Sequence, residues 1–377
     1  MRKYCKKGSI GHQHPKGRHR CLNNILKTSQ LTVVSTNDCT AQCAHCLMGS
    51  QPGRSGALTY AQIRDAVDAL NNLNPLRLVV FTGGEPLLLG EDLLDAIAYV
   101  DSLGILTRVV TNAFWADTPE NAKKMLITLR EVGLNELNVS TDDFHLPYVP
   151  FENIRNVYNA IQGMGFGAFV LANSSSNGDI ITPEYLLKEL GNEFSLRFDE
   201  DRKSLPLPSP SQDGTSYVLS NGMIQRLGRA SMLEMNGKAR ECDNCLRLSG
   251  GCGNAIVNSS LSPNGHFLAC CGIESEGNEI LDRGAFSSEN VDEVFRLMND
   301  DVLLNALIRL GPYFVRNFAA SKEPSLFFPD KYATLCEVCQ SVVLNDKAVF
   351  ILKHNMGELA SLVLLTLEAK ENEKEPA

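Results

Sequence analysis

Long apolar runs are missing from this chain of 377 residues. Its best candidate, Leu359 to Leu367, is broken by Ser361 and falls well short of the roughly 20 residues a bilayer-spanning helix needs. An excess of positive charge is missing too: 35 basic residues face 44 acidic ones for a net charge of -9, so the overall balance gives a nucleic-acid partner no support. Acids are absent from the first twenty residues, which hold Arg2, Lys3, Lys6, Lys7, Lys16, Arg18 and Arg20. That basic arm has no apolar h-region and so does not read as a secretory signal. A hydrophobic content of 44%, charged content of 21% and mean hydropathy of -0.11 exclude coiled-coil, collagen-like and wholly disordered chains. Cysteine is absent between Cys46 and Cys242 and again after Cys339, yet twelve occur in all. Thiols clustered in this way, without an export signal, point to a cytoplasmic chain whose cysteines are metal ligands rather than disulfides.

The cysteine-free middle alternates β-branched runs with amphipathic stretches, the pattern of βα units on a parallel sheet. Strands are expected at Leu31 to Thr36, Leu76 to Phe81, Leu106 to Thr111, Glu136 to Ser140, Ala168 to Ala172 and Ser195 to Phe198. Helices are expected between them at Tyr60 to Leu73, Glu91 to Leu103, Pro119 to Val132, Phe151 to Met164 and Pro183 to Leu190. Thr118 before Pro119 and Thr182 before Pro183 are good helix starts. Six units imply an α/β fold, a partial (β/α)6 TIM-like barrel, open on one side, with reacting groups where strands run into loops. The expected division is a basic arm over 1–28, the barrel over 29–204, a Pro- and Ser-rich linker and short helix over 205–240, a small cysteine-rich domain over 241–345, and a helix with a charged tail over 346–377.

Cys39, Cys43 and Cys46 have C-x3-C-x2-C spacing and fall in the loop after the first strand. A closed zinc site wants four ligands, and a ferredoxin-type cubane wants four cysteines. Three thiolates on a four-iron cluster leave one iron open to a small molecule; a zinc knuckle with a non-cysteine fourth ligand is the other reading. After the second strand, Val79-Val80-Phe81-Thr82 runs into Gly83-Gly84-Glu85-Pro86, where glycines allow close approach of backbone to a ligand.

Through Cys39-Thr40-Ala41-Gln42-Cys43-Ala44-His45-Cys46 and this turn, the chain resembles the radical S-adenosylmethionine enzymes. The resemblance implies a four-iron, four-sulfur cluster on the three cysteines, its open iron chelated by S-adenosylmethionine, and reductive cleavage of that cofactor to a 5'-deoxyadenosyl radical. It places His45 near the adenine and implies that Gly83, Gly84 and Glu85 hold the methionyl ammonium. It further suggests ribose or carboxylate contacts from Thr111, Asn112, Ser140 and Asp142, with Arg155 as a carboxylate partner. Phe114, Trp115, His145 and Tyr148 follow strand ends and are candidates for the substrate mouth.

Seven further cysteines lie at 242, 245, 252, 270, 271, 336 and 339. Cys252 through Ser262-Pro263-Asn264-Gly265 to Cys270 has C-x12-G-x4-C spacing, which resembles the opening half of the SPASM extension of peptide-modifying radical enzymes. Gly228-Arg229-Ala230 is similar to a short run preceding that extension. A complete SPASM pattern carries further cysteines after the downstream pair, and this chain has none after Cys339. The resemblance therefore implies a shortened, twitch-like region with one auxiliary cluster on Cys245, Cys252, Cys270 and Cys339, with Cys242, Cys336 and Cys271 as further candidates. A zinc ribbon on the Cys242/Cys245 and Cys336/Cys339 pairs is the other reading. Cys271 is also a candidate hydrogen-atom donor.

The function expected is cytoplasmic radical chemistry on a peptide or protein, with a leader sequence that the basic arm could attract and an electron donor such as flavodoxin or ferredoxin. Neither a membrane nor a nucleic acid is expected as partner. A small-molecule substrate and a non-catalytic zinc or iron-sulfur module are the competing readings.

Overall fold

The structure is a computed structural model and describes residues 25–175, 178–191, 194–198, 211–212, 214–222, 224–233, 248–271 and 275–372. The basic arm through residue 24, with Cys5 and Cys21, lies outside the described residues, as do Cys242 and Cys245.

Five βα units follow one another as the residue pattern requires. They are β1 (Gln30–Val34), α1 (Tyr60–Leu73), β2 (Leu78–Thr82), α2 (Glu91–Ser102), β3 (Leu106–Thr111), α3 (Pro119–Glu131), β4 (Glu136–Ser140), α4 (Phe151–Ile161), β5 (Ala168–Asn173) and α5 (Pro183–Leu190). Thr118 and Thr182 cap α3 and α5 by accepting from the backbone N–H groups of Asn121 and Tyr185, and Thr59 opens α1 with a capping box to Gln62. The strands pair in parallel in sequence order. Their outward residues, among them Val33, Phe81, Val109, Leu137 and Phe169, are fully buried under Ile63, Ile97, Leu126 and Ile161 of the helices.

The sheet is an open partial barrel of ten strands, ordered β10-β9-β8-β1-β2-β3-β4-β5-β7-β6. One correction concerns its far side. The sixth place belongs to β7 (Ser216–Asn221), which pairs in parallel with β5, while β6 (Ser195–Phe198) sits outside it at the edge. The stretch read as a linker therefore ends in a strand. Tyr217, Val218 and Leu219 are all buried, a continuous apolar run of the kind a strand covered on both faces carries. The helix expected around Gly222 to Glu234 appears among the described residues only as a 3-10 turn at Gly228–Met232.

On the near side, β8 (Asn258–Leu261) pairs in parallel with β1. It turns through Ser262–Gly265 into antiparallel β9 (His266–Leu268), and β10 (Asp282–Ala285) follows. The remaining helices are α6 (Val291–Asp300), α7 (Val302–Arg309), α8 (Pro312–Lys322), α9 (Leu335–Val343), α10 (Asp346–His354) and α11 (Met356–Asn372). Among the described residues no single helix is long and apolar enough to cross a membrane, and α10 is bent by 77° against α11.

The placement of β7 is testable through its aromatic cluster. Phe169 on β5 lies 6.2 Å from the Tyr217 ring and 6.4 Å from Tyr158 on α4. Phe169→Ala is expected to destabilise the fold by about 3–5 kcal/mol, as for buried aromatic truncations in general. Denaturant unfolding measures it, and a loss below about 1 kcal/mol would contradict this packing.

Candidate active site

The loop that leaves β1 has no regular secondary structure from Cys39 to Ser50, only turns. Its shape comes from neighbours. The β2 turn lies directly against its first residues: Gly84 N–H donates to Thr36 O at 2.7 Å and Glu85 N–H to Asp38 O at 2.9 Å. A Cβ on Gly84 would stand 2.0 Å from Asp38 O, and one on Gly83, whose φ is +131°, would stand 2.6 Å from Thr36 O. Both glycines are thus required sterically before any ligand is considered.

This contact closes a cavity of about 290 Å³ at the carboxyl ends of the parallel strands. Its wall includes Cys39, Cys43, Cys46 and His45 from the loop, Gly83 and Gly84 from the β2 turn, and Thr111, Asn112 and Ser140 from the ends of β3 and β4. His145 completes that side, while Ser174, Ile224 and Gln225 close the wall after β5 and β7. Cys39 Sγ accepts from Ala41 N–H at 3.4 Å and from Asn112 Nδ2 at 3.7 Å. The Cys43 side chain is hydrogen-bonded to His145.

Asp142, buried just beyond β4, joins two rings of this wall. Its Oδ1 lies 2.8 Å from His145 Nδ1 and its Oδ2 lies 3.2 Å from His45 Nε2. Burial opposes its charge, yet the hydrogen bonds from His145 and His45 hold the carboxyl well below the usual carboxylate range. Burial likewise opposes charge on His145, but its hydrogen bonds to Asp142 and Cys43 lift it to about 10, which favours the imidazolium beside the Asp142 carboxylate. His45 stacks on Phe144 with centroids 4.5 Å apart.

Several expected contacts lie elsewhere. Glu85 is fully buried and lies behind the cavity wall. Its Oε1 accepts from Thr111 Oγ1 at 2.8 Å and from Leu87 N–H at 3.2 Å, and its Oε2 from Asn112 N–H at 2.9 Å, so it ties the β2 turn to the end of β3. Asp142 also sits behind the wall. Arg155 is on the outer surface, paired with Glu152 at 3.0 Å and Glu189 at 2.8 Å, because its place on α4 turns it toward α5. Trp115 points into the core and donates from Nε1 to Thr111 Oγ1 at 3.1 Å. Phe114 packs partly buried against the same core. Tyr148 is exposed and donates to Gln42 O at 2.9 Å, bracing the cysteine loop from outside. One residue not selected for this site has a large share in it: Arg229 donates to Cys43 O, Gly49 O and Ser50 O at 2.7–2.8 Å. Its only sequence signal was the Gly228-Arg229-Ala230 run.

The second cysteine group is also brought together. Electrostatic neighbours of Cys339 are Cys270, Cys252 and Cys336, and burial pushes the Cys339 thiol well above its ordinary value. Cys336 and Cys339 are one turn apart on α9, and Cys252 and Cys270 flank the β8–β9 hairpin. Cys271 has Cys252 as an electrostatic neighbour but lines a separate cavity of about 330 Å³ beside β8 and β9, where its thiol meets the Thr32 side chain.

Residues 33–160 match the Radical SAM superfamily. That segment holds the triplet, the β2 turn and the ends of β3 and β4, and it is a radical SAM domain. A Bacillus subtilis (strain 168) protein named for peptide biosynthesis, YydG, is 24% identical over 119 residues, which span 32% of this chain and 37% of that protein. The chain thus matches little more than a third of that relative's length. Among solved structures, anSMEcpe with bound AdoMet and a Cp18Cys peptide aligns with a TM-score of 0.46 at 12% identity over 89% of this chain and 98% of that one. BtrN in complex with AdoMet and 2-DOIA gives 0.44 at 15% identity over 76% and 89%. SuiB of Streptococcus suis bound to its precursor peptide SuiA gives 0.41 at 14% identity over 74% and 66%.

The superfamily uses a four-iron, four-sulfur cluster with S-adenosylmethionine, and the residues present fit both. Burial pushes Cys39 up to about 11, so its thiolate form needs the compensating charge a metal centre supplies. Among the described residues His45 Nδ1 and Ser50 Oγ, both buried on this wall, have no hydrogen-bond partner, as suits a polar ligand.

Glu85 sets a pH dependence. Burial pushes it from an ordinary 4.5 up to about 7. The folded chain then binds a proton that the unfolded chain has already released, so this stability is complete below pH 4.5 and lost as pH rises through 7. The loss is on the order of 3 kcal/mol. Glu85→Gln, with no proton to lose, is expected to flatten the unfolding free energy between pH 5 and 8; an unchanged slope would contradict the assignment.

Proposed function

We propose that this chain is a radical S-adenosylmethionine enzyme acting on a peptide or protein. The observation that carries the reading is the convergence of three cysteine sulfurs, rather than four, with the Gly83-Gly84 backbone on one cavity at the strand ends. When bound, the cluster and S-adenosylmethionine supply a one-electron reductive cleavage to methionine and a 5'-deoxyadenosyl radical. The chain contributes placement and electrostatics. Cys39, Cys43 and Cys46 hold the cluster, while N–H groups of Ala41, Asn112 and His145 point at two of their sulfurs. The Gly83-Gly84 turn, Asn112 and Ser140 line the space for the cofactor. The peptide reading is supported by the name of the relative matching a third of the chain. An external donor such as flavodoxin or ferredoxin supplies the electron.

Cys252, Cys270, Cys336 and Cys339 are the ligand set we assign to an auxiliary cluster. Both α9 cysteines belong to it, and Cys271, which neighbours Cys252 but lines its own cavity, is left out of it.

Anaerobic reconstitution with iron and sulfide is expected to load about eight irons, two four-iron sites. Cys39→Ala then removes about four and abolishes 5'-deoxyadenosine formation under dithionite, whereas Cys339→Ala removes the other four and leaves cleavage of the cofactor. No 5'-deoxyadenosine from the loaded wild type would end the reading. A precursor peptide encoded beside the gene is expected to change mass on incubation, and an unchanged mass would remove the peptide assignment alone.

A further inference from the structure

Between β7 and the second cysteine group, the five residues Gln225 to Arg229 touch the loop of the first cysteine site and α9, the helix that carries Cys336 and Cys339. On one side is the loop of the first site. Arg229 N–H donates to Cys46 O at 3.0 Å, and its guanidinium donates to Cys43 O at 2.7 Å, Gly49 O at 2.8 Å and Ser50 O at 2.7 Å. Gly228, at φ +53°, lets the segment in: a Cβ there would lie 2.0 Å from Leu47 O. On the other side is α9. Glu337, 4% exposed, accepts from Arg226 N–H at 2.6 Å on Oε1, and on Oε2 from Ala333 N–H at 2.9 Å and the Arg226 guanidinium at 3.2 Å. Thr334, the N-cap of α9, donates to Gln225 Oε1 at 3.1 Å, and Gln225 itself lines the first cavity.

We infer that Gln225 to Arg229 is a strap, with Arg229 and Glu337 as positioning residues, which holds the three-cysteine loop in register with α9 so that cofactor binding at the first site depends on α9. This rests on the function proposed above. The physical reason is the loop's lack of secondary structure. Its carbonyl oxygens need donors from elsewhere, and a guanidinium offers five N–H groups in a rigid fork that no other side chain reproduces. With the fork removed, the carbonyls of Cys43, Gly49 and Ser50 turn to water, and Cys43 and Cys46 lose their fixed spacing. Glu337 acts one step further back, because the Arg226 backbone it holds sets where Arg229 begins. Since α9 carries Cys336 and Cys339, the strap also joins the frame of one cysteine group to that of the other.

The test uses the anaerobically loaded full chain and two readouts apart from turnover: S-adenosylmethionine affinity, and the electron paramagnetic resonance spectrum of the reduced cluster with and without the cofactor. Arg229→Lys keeps the charge but not the fork. Glu337→Gln is nearly isosteric and lies away from the cavity. Each is expected to weaken S-adenosylmethionine binding about tenfold, equal to about 1.4 kcal/mol, and to blunt the cofactor-induced spectral change while iron content stays near wild type. Phe169→Leu, which loosens the same barrel without touching the strap, is expected to leave affinity unchanged. Wild-type affinity and spectra in both strap variants would overturn the inference, as would an equal loss in Phe169→Leu. Should Arg229→Lys fail to hold iron, Glu337→Gln decides the matter by the same criteria. A wild-type protein whose spectrum ignores S-adenosylmethionine would instead overturn the proposed function, and the inference with it.

Discussion

The whole site hangs on one demand: an irregular loop of twelve residues, Cys39 to Ser50, must have its backbone carbonyls satisfied without a helix or strand of its own. The β2 turn meets the approach to it at Thr36 and Asp38, which is possible only because Gly83 and Gly84 lack side chains. Arg54 donates to Met48 O at 2.7 Å, Tyr148 to Gln42 O, and Arg229 to three further carbonyls. A loop held this way is rigid without being regular. That suits sulfurs that must keep a fixed spacing while the space beside them stays accessible to a cofactor.

The sheet supplies the second constraint. β1 lies between β2, whose turn forms one wall of the cavity, and β8, whose hairpin is flanked by Cys252 and Cys270. One strand thus neighbours the frames of both cysteine groups, although more than two hundred residues separate Cys46 from Cys252 in the chain. The two cavities share Met48 of the loop as a lining residue.

Charge on the wall is arranged around buried groups. Asp142 keeps its charge because two imidazoles face it, and Glu85 is raised toward neutrality because burial outweighs the pull of its three donors. Two carboxyls close to the same cavity therefore behave in opposite ways, and the difference lies in whether a cationic ring is within hydrogen-bond reach. Both act behind the wall, orienting His45, His145, Thr111 and Asn112, the groups that line it.

Local pattern in the chain was enough for the five βα units and for the threonine caps at Thr118 and Thr182. The caps and the single strands and helices are each written within about a dozen neighbouring residues, where periodicity, capping chemistry and backbone freedom act directly, whereas the cysteine loop and the Gly-Gly turn lie far apart in the chain and were paired through the resemblance to a known family. The insertion of β7 between β5 and β6, the inward turn of Trp115, the surface pairing of Arg155, the gathering of Cys336 with Cys252 and Cys270, and the reach of Arg229 into the cysteine loop were decided by the tertiary structure alone. They are contacts between segments far apart in the chain, and which long-range partner a side chain meets depends on the packing of the whole sheet, a quantity no local window contains.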